Sequence, residues 1–205
     1  MNNQWNKIIY KIWSPFYDQF FNSGAFLKAR KKLFEDVKLH EGSKVLFVGV
    51  GTGADLEFID PEKIEITAID FSPDMLAKAQ SRFQNRGIKF MEMDAQNLQF
   101  ENELFDLVVG SLILSVVPDS DKTLREMIRV TKKSGELLLF DKFSPKNGEL
   151  SIGKKLLRPI ISWLGTDIGL SFEKTIQPYI NLIQITSDEP VLFGEMYRKI
   201  KVQKR

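Results

Sequence analysis

The chain has 205 residues, is 43% hydrophobic and 27% charged, and carries a formal net charge of +2. That size and balance predict one domain, 1–205, able to bury its own core, with no global charge footprint for nucleic acid. It has no cysteine, which excludes disulfides, thiolate zinc sites and a cysteine nucleophile. One histidine, His40, allows neither a histidine-rich metal site nor the usual Ser/His/Asp triad, so no metal is expected. No secretory signal is visible, and no apolar run approaches the ~18 residues that span a bilayer, which makes the cytoplasm the expected location.

Residues 1–38 carry seven Lys/Arg against three Asp/Glu. Trp5, Ile8, Ile9, Ile12 and Trp13 recur at helical spacing with Lys7 and Lys11 between them. Such a helix can pack its apolar face inward as a lid, or lie in a membrane interface. The two readings are compatible. The stretch VLFVGVGTGADL, Val45 to Leu56, follows. It reads as a buried strand that breaks into Gly49, Gly51 and Gly53 and continues into a helix-compatible segment. Glycines allow a tight turn and a close backbone approach to a nucleotide-like ligand, and the helix start would offer free N–H groups. Gly49-x-Gly51-x-x-Ala54 also satisfies the dinucleotide fingerprint, and a turn with no ligand is a third reading.

A second apolar run, Ile64 to Ile69, ends at Asp70, about 20 residues beyond the glycines, where a carboxylate can accept from both ribose hydroxyls. The plainer alternative is a cap at a strand end. Ser72 as N-cap, Pro73 at the first helical position and Asp74 then start a helix. Met75, Leu76, Ala79 and Phe83 form its core stripe, although Met75 also falls near an expected adenosine. A third run, Ile88 to Met93, ends at Asp94-Ala95. Asp94 can accept from an exocyclic amine or simply cap the loop. A fourth strand, Leu104 to Val109, ends at Gly110-Ser111. A helix from about Asp119 turns Leu124, Met127 and Ile128 inward. A fifth strand, Glu136 to Phe140, ends at Asp141-Lys142-Phe143.

The order of glycine loop, strand-end acid, second acid and FDLVVGS resembles the class I S-adenosylmethionine (SAM) dependent methyltransferases over roughly Lys44 to Ser144. Tyr17-Asp18-Gln19-Phe20-Phe21, the helix start DFSPDML and the segment LSVVPD are similar to the quinone-biosynthesis and bacterial phosphatidylethanolamine N-methyltransferases. The resemblance implies an α/β, Rossmann-like sheet of seven strands, mostly parallel, with a C-terminal antiparallel hairpin and helices on both faces. It implies SAM as cofactor, S-adenosylhomocysteine as product, and cofactor contacts from Gly49, Gly51, Gly53, Asp70, Phe71, Met75, Asp94, Ala95, Gly110 and Ser111. One departure stands out. The family usually places an acid two residues before the first glycine, orienting the methionine end of SAM, and this chain has Phe47. The cofactor's amino group would then depend on backbone carbonyls near Gly49 and Gly110, and a SAM-binding protein without catalysis is an alternative.

On this reading residues 1–40 are lid helices, 41–145 the cofactor core, 146–178 a substrate cap and 179–205 a hairpin. The cap, with IGKKLLRPIISWL, is apolar and basic, and Pro159 breaks its helix. Exposed, Ile160, Trp163 and Leu164 would suit an apolar or membrane-bound acceptor and peripheral contact with the inner membrane face; buried, they are ordinary packing. In the hairpin, Tyr179 to Thr186 and Glu195 to Val202 are the strand-forming runs. Tyr17 and Asp141 are the catalytic candidates, with Ser111 and Ser115 near the expected methyl group. The acceptor is expected to be a small molecule or lipid, with phosphatidylethanolamine suggested by the resemblance and a quinone ring carbon as the alternative. Nucleic acid is not expected, because GSLI follows the fourth strand in place of an Asn/Asp-Pro-Pro-aromatic motif. A nicotinamide oxidoreductase would need further βα units, for which little chain remains.

Overall fold

Side-chain alternation along the strands decides how the sheet is covered. The structure, a computed structural model, describes residues 23–145 and 169–205. Tyr17, the Trp/Ile face of residues 5–13 and the Trp163 stretch lie outside them. The described residues form a seven-stranded sheet in the order β3-β2-β1-β4-β5-β7-β6. Here β1 is Lys44–Val48, β2 Glu65–Asp70, β3 Lys89–Glu92, β4 Phe105–Ser111, β5 Thr131–Lys142, β6 Ile183–Leu192 and β7 Tyr197–Lys204. Strands β1 to β5 are mutually parallel where they pair, while β7 runs antiparallel to both β5 and β6. The expected mixed sheet with a terminal hairpin is therefore what the chain builds.

Within β1, Val45 and Phe47 face one core while Leu46 and Val48 face the other. Both sets are buried, as a central parallel strand requires. Helix α1 (Gly24–Phe34) lays Phe26, Ala29, Leu33 and Phe34 on the Phe47 face, and α2 (Pro73–Arg82) adds Leu76 there. The opposite face is covered by α3 (Ser120–Val130) and the short α4 (Phe172–Ile176). The start of α2 follows the local chemistry: Ser72 Oγ accepts from Met75 N at 3.4 Å, and Pro73 occupies the first turn. Asp119 caps α3 by accepting from Lys122 N, and Leu124, Met127 and Ile128 point inward as their spacing predicts.

Three boundaries differ from expectation. The segment after the glycines is only a five-residue 3-10 helix, Ala54–Phe58, ending where Asp60-Pro61 starts another turn. One such turn has little dipole to offer an anion. Strand β5 begins five residues early, at Thr131, which pairs with Phe105 before a register shift toward Leu107. Lys132 is fixed there by Asp106 at 2.8 Å, so the loop-like TKKSG becomes strand. In the hairpin, Tyr179 belongs to a 3-10 turn, and β6 runs to Leu192 with irregularities at Ile185/Ser187 and Pro190/Leu192. The reversal falls at Phe193 and Gly194, both at positive φ.

Candidate active site

Parallel strands β1, β2, β3, β4 and β5 all end at one edge, and the sequence places its glycines and acids there. Val48 is registered against Ile69 on one side and Gly110 on the other, so the Gly49 turn emerges between the ends of β2 and β4. Gly51 has φ 57°, and a Cβ built there would meet nothing within 4 Å. Gly53 is different: at φ 85° its Cβ would meet the Phe83 ring at 2.8 Å. The first glycine opens space over the loop, and the other lets the loop pack on α2. Both serve the backbone conformation, but only Gly51 leaves room for a ligand.

Asp70 closes the turn from the neighbouring strand. Its Oδ2 accepts from Gly51 N and its Oδ1 from Ser72 N, each at 2.8 Å. Burial pushes its pKa up, against the lowering effect of the Ser72, Gly51 and Phe71 N–H groups. The residue as a whole is only partly buried, and a carboxylate oxygen that takes one N–H still has room for a second donor. Asp94 lies just beyond β3, partly buried, and accepts from Gln96 N at 2.9 Å, while Gln96 Nε2 donates to both its oxygens at 3.0 and 3.2 Å. Ala95 and Met75 are buried beside these acids in sequence, and Phe71 is half-buried. The cap reading and the ligand reading of both acids thus coexist: each carboxylate organises its loop from a residue that is not fully buried.

The other half of the edge is closed. Asp141 is 0% exposed; its Oδ2 accepts from Ser115 N at 3.1 Å and its Oδ1 from Lys142 N at 2.8 Å. Burial raises its pKa, opposed by Ser115 and Lys142. Tyr197, pushed up to about 12 by burial and the Asp141 charge, stays protonated at neutral pH. Between β4 and Ser115, Leu112 adopts φ 56°, a strained value for a branched side chain, and its N–H donates to Phe140 O at 2.6 Å. Gly110 sits in tight packing: a Cβ there would meet Met127 Cε at 2.7 Å, Ile113 Cγ2 at 3.2 Å and Leu139 Cδ2 at 3.3 Å.

Two residues outside the expected set reach the same edge. Arg30 of α1 is buried, donates from Nη1 to Ser111 Oγ at 3.2 Å, and lies 2.5 Å from Asp55 Oδ1. Asp55 follows Gly53 by two residues and is also buried. The signal was in the spacing: Arg30 falls within the Phe26, Ala29, Leu33, Phe34 stripe, where an arginine must have a partner. Among the described residues no group of three or more His, Cys, Asp or Glu could hold a metal ion.

Comparison with known proteins decides the family. Over 201 residues the chain is 31% identical to the phosphatidylethanolamine N-methyltransferase of Cereibacter sphaeroides, covering 96% of each. The chain belongs to the class I SAM-dependent methyltransferases. Residues 46–139 match the family described as a methyltransferase domain. The demethylmenaquinone methyltransferase of Listeria monocytogenes (strain CLIP80459) is 29% identical over 206 residues, 95% of this chain and 85% of that one. Among solved structures, the [4+2]-cyclase SpnF shares the fold at TM-score 0.70 and 19% identity, over 85% of this chain and 80% of that one. The methyl donor is therefore SAM, and the site fits it: open space at Gly51 and two partly buried acids at neighbouring strand ends.

Proposed function

We propose that this methyltransferase acts on the amine of a phosphatidylethanolamine-type lipid headgroup. The observation that supports this reading is the end-to-end likeness to a phosphatidylethanolamine N-methyltransferase, where the quinone enzyme leaves more of its own length unmatched. In this reading the whole chain is one catalytic domain. The 1–40 segment serves as lid, the 146–178 segment as acceptor cap, and their Trp- and Ile-bearing faces meet the cytoplasmic membrane surface. No helix among the described residues is long and apolar enough to cross a membrane, so contact would be peripheral.

The cofactor supplies a sulfonium methyl group whose leaving group is a neutral thioether, so the protein need not protonate it. Asp70 would hold the ribose and Asp94 the adenine amine, with Phe71, Met75 and Ala95 as the neighbouring contacts. Gly51 leaves the open space through which the backbone would approach the cofactor, Gly49, Gly53 and Gly110 let the surrounding loops pack, and Ser111 would lie toward the methionine end. The chain's contribution to rate is alignment and exclusion of water. An acceptor amine must give up a proton before it can attack. Tyr17 is the candidate to take it, whereas Asp141, fully buried with its oxygens held by the Ser115 and Lys142 N–H groups, can only position the loop after β4.

The test is transfer of tritium from methyl-labelled SAM to vesicles containing phosphatidylethanolamine, or to vesicles containing demethylmenaquinol. Label in the phosphatidylethanolamine supports the proposal. Label in the quinol alone replaces it with ring C-methylation. Label in neither, with SAM bound, favours the non-catalytic alternative raised by Phe47.

A further inference from the structure

Phe193 breaks two local rules at once. It opens the four-residue reversal between β6 and β7, which Met196 N closes by donating to Phe193 O at 3.4 Å. Its φ is 50°, in the left-handed region that suits glycine, asparagine or aspartate rather than an aromatic residue. Yet the residue is 64% exposed. Its ring meets Phe26 and Tyr197 with centroids 6.2 and 5.9 Å away, and most of it stays in water. A strained backbone and an apolar ring in solvent are both costs, and the fold gains little from either. The surroundings give them a use. Leu192 and Lys142 both register with Tyr197, so the reversal projects past the end of β5, from the edge that carries Gly51 and Asp70. The first turn of α1 lies beside it through Phe26, and there Leu27 is 41% exposed. Lys28 and Lys31 are exposed on the same side of α1 as Leu27. Helix α1 contains four Lys/Arg and no Asp/Glu, and Glu195 is the single acid of the reversal.

We propose that the β6–β7 reversal, with Leu27 and the lysines of α1, seats the protein on an anionic lipid bilayer. Phe193 and Leu27 enter the boundary between headgroups and acyl chains, and Lys28 and Lys31 meet the anionic headgroups. The chemistry is complementary. Aromatic rings are favoured at the bilayer interface, and lysines beside them are drawn to its negative surface potential. The ring's exposure, a cost in water, becomes burial on the membrane. Seated this way, the edge holding Gly51 and Asp70 faces the plane in which lipid headgroups lie. The inference rests on the lipid-acceptor reading and adds to it the surface through which such an acceptor is reached.

Co-sedimentation of the full chain with sucrose-loaded vesicles tests it, using phosphatidylcholine alone and phosphatidylcholine mixed with phosphatidylglycerol. The wild-type protein is expected on the mixed vesicles. Phe193→Asn suits a left-handed φ, so its thermal midpoint should stay within about 3 °C of wild type. Its vesicle affinity should nevertheless fall about tenfold, while Phe193→Trp should keep it. Lys28→Gln combined with Lys31→Gln should weaken binding to the mixed vesicles alone, and added salt should do the same to the wild type. No wild-type binding to the mixed vesicles, or undiminished binding by Phe193→Asn, overturns the proposal. So does a Phe193→Asn protein that loses binding only together with its fold. A smaller sedimentation coefficient for Phe193→Asn without vesicles would assign the tip to a second copy of the chain and overturn it too. Methyl transfer is not read in this experiment. Vesicle binding that depends on Phe193, without methylation of phosphatidylethanolamine, would support the docking surface and remove only the acceptor.

Discussion

Asp70 and Asp141 are built alike and placed differently. Each ends a parallel strand, each takes two backbone N–H groups from the loop that follows or faces it, and burial raises the pKa of each. Asp70, on the β1–β3 side of the edge, keeps part of its surface. Asp141, beneath the β5–β7 pairing, keeps none. The same motif therefore organises a loop in both places but can also meet a ligand directly in only one. Exposure, rather than residue type or position on the strand, separates the two roles.

Substitution should break the symmetry. Asp70→Ala removes two charge-assisted acceptors and should weaken S-adenosylhomocysteine about 100-fold in a calorimetric titration. An unchanged affinity would end the ribose assignment. Asp141→Ala should leave that affinity within about threefold and lower unfolding free energy by about 1–3 kcal/mol, because the Ser115 and Lys142 N–H groups lose a buried acceptor. Denaturant melts would show it. If affinity fell as far as for Asp70, the two halves would not be separable.

The glycines give a second contrast of the same kind. Gly53→Ala should cost stability, since its Cβ would strike Phe83 at a left-handed φ. Gly51→Ala meets no atom, so its stability cost should be the backbone strain alone, about 1 kcal/mol, while cofactor affinity falls because the new methyl fills the open space. Thermal melts with and without S-adenosylhomocysteine distinguish the two.

The smallest effect is on pH dependence. A carboxylate with a raised pKa gives up its charge earlier as pH falls, so Asp70 should lose acceptor capacity above the ordinary aspartate range. Cofactor affinity should therefore weaken with acidification sooner than an exposed aspartate would predict, and Asp70→Asn should flatten that limb. A wild-type profile flat down to the ordinary range would mean that the N–H groups, rather than burial, set the titration.

Much of this edge was legible because short-range rules wrote it. Continuous apolar runs gave β1, β2 and β4, and Ser72-Pro73 gave the start of α2. What escaped depended on partners distant in sequence. TKKSG becomes strand because Asp106 and Phe105 hold it, and Ser187 to Leu192 becomes strand because β7 lies beside it. Arg30 in KARKK shares the stripe of Phe26, Ala29, Leu33 and Phe34, but which partners it meets, Asp55 and Ser111, depends on where α1 docks. The 3-10 turn after the glycines was masked by helix-forming residues that Pro61 cuts short.

Strand β6 ends the sheet among the described residues, and its irregular course has a consequence for solubility. It carries Pro190, which cannot donate, and two breaks in register. Beside it stand exposed apolar side chains, Leu182 at 54% and Phe193 at 64%. A straight border with such residues would invite a second copy to add its own strand and seed a fibril. A border kinked in this way offers a poorer template for such strand addition than a straight one would.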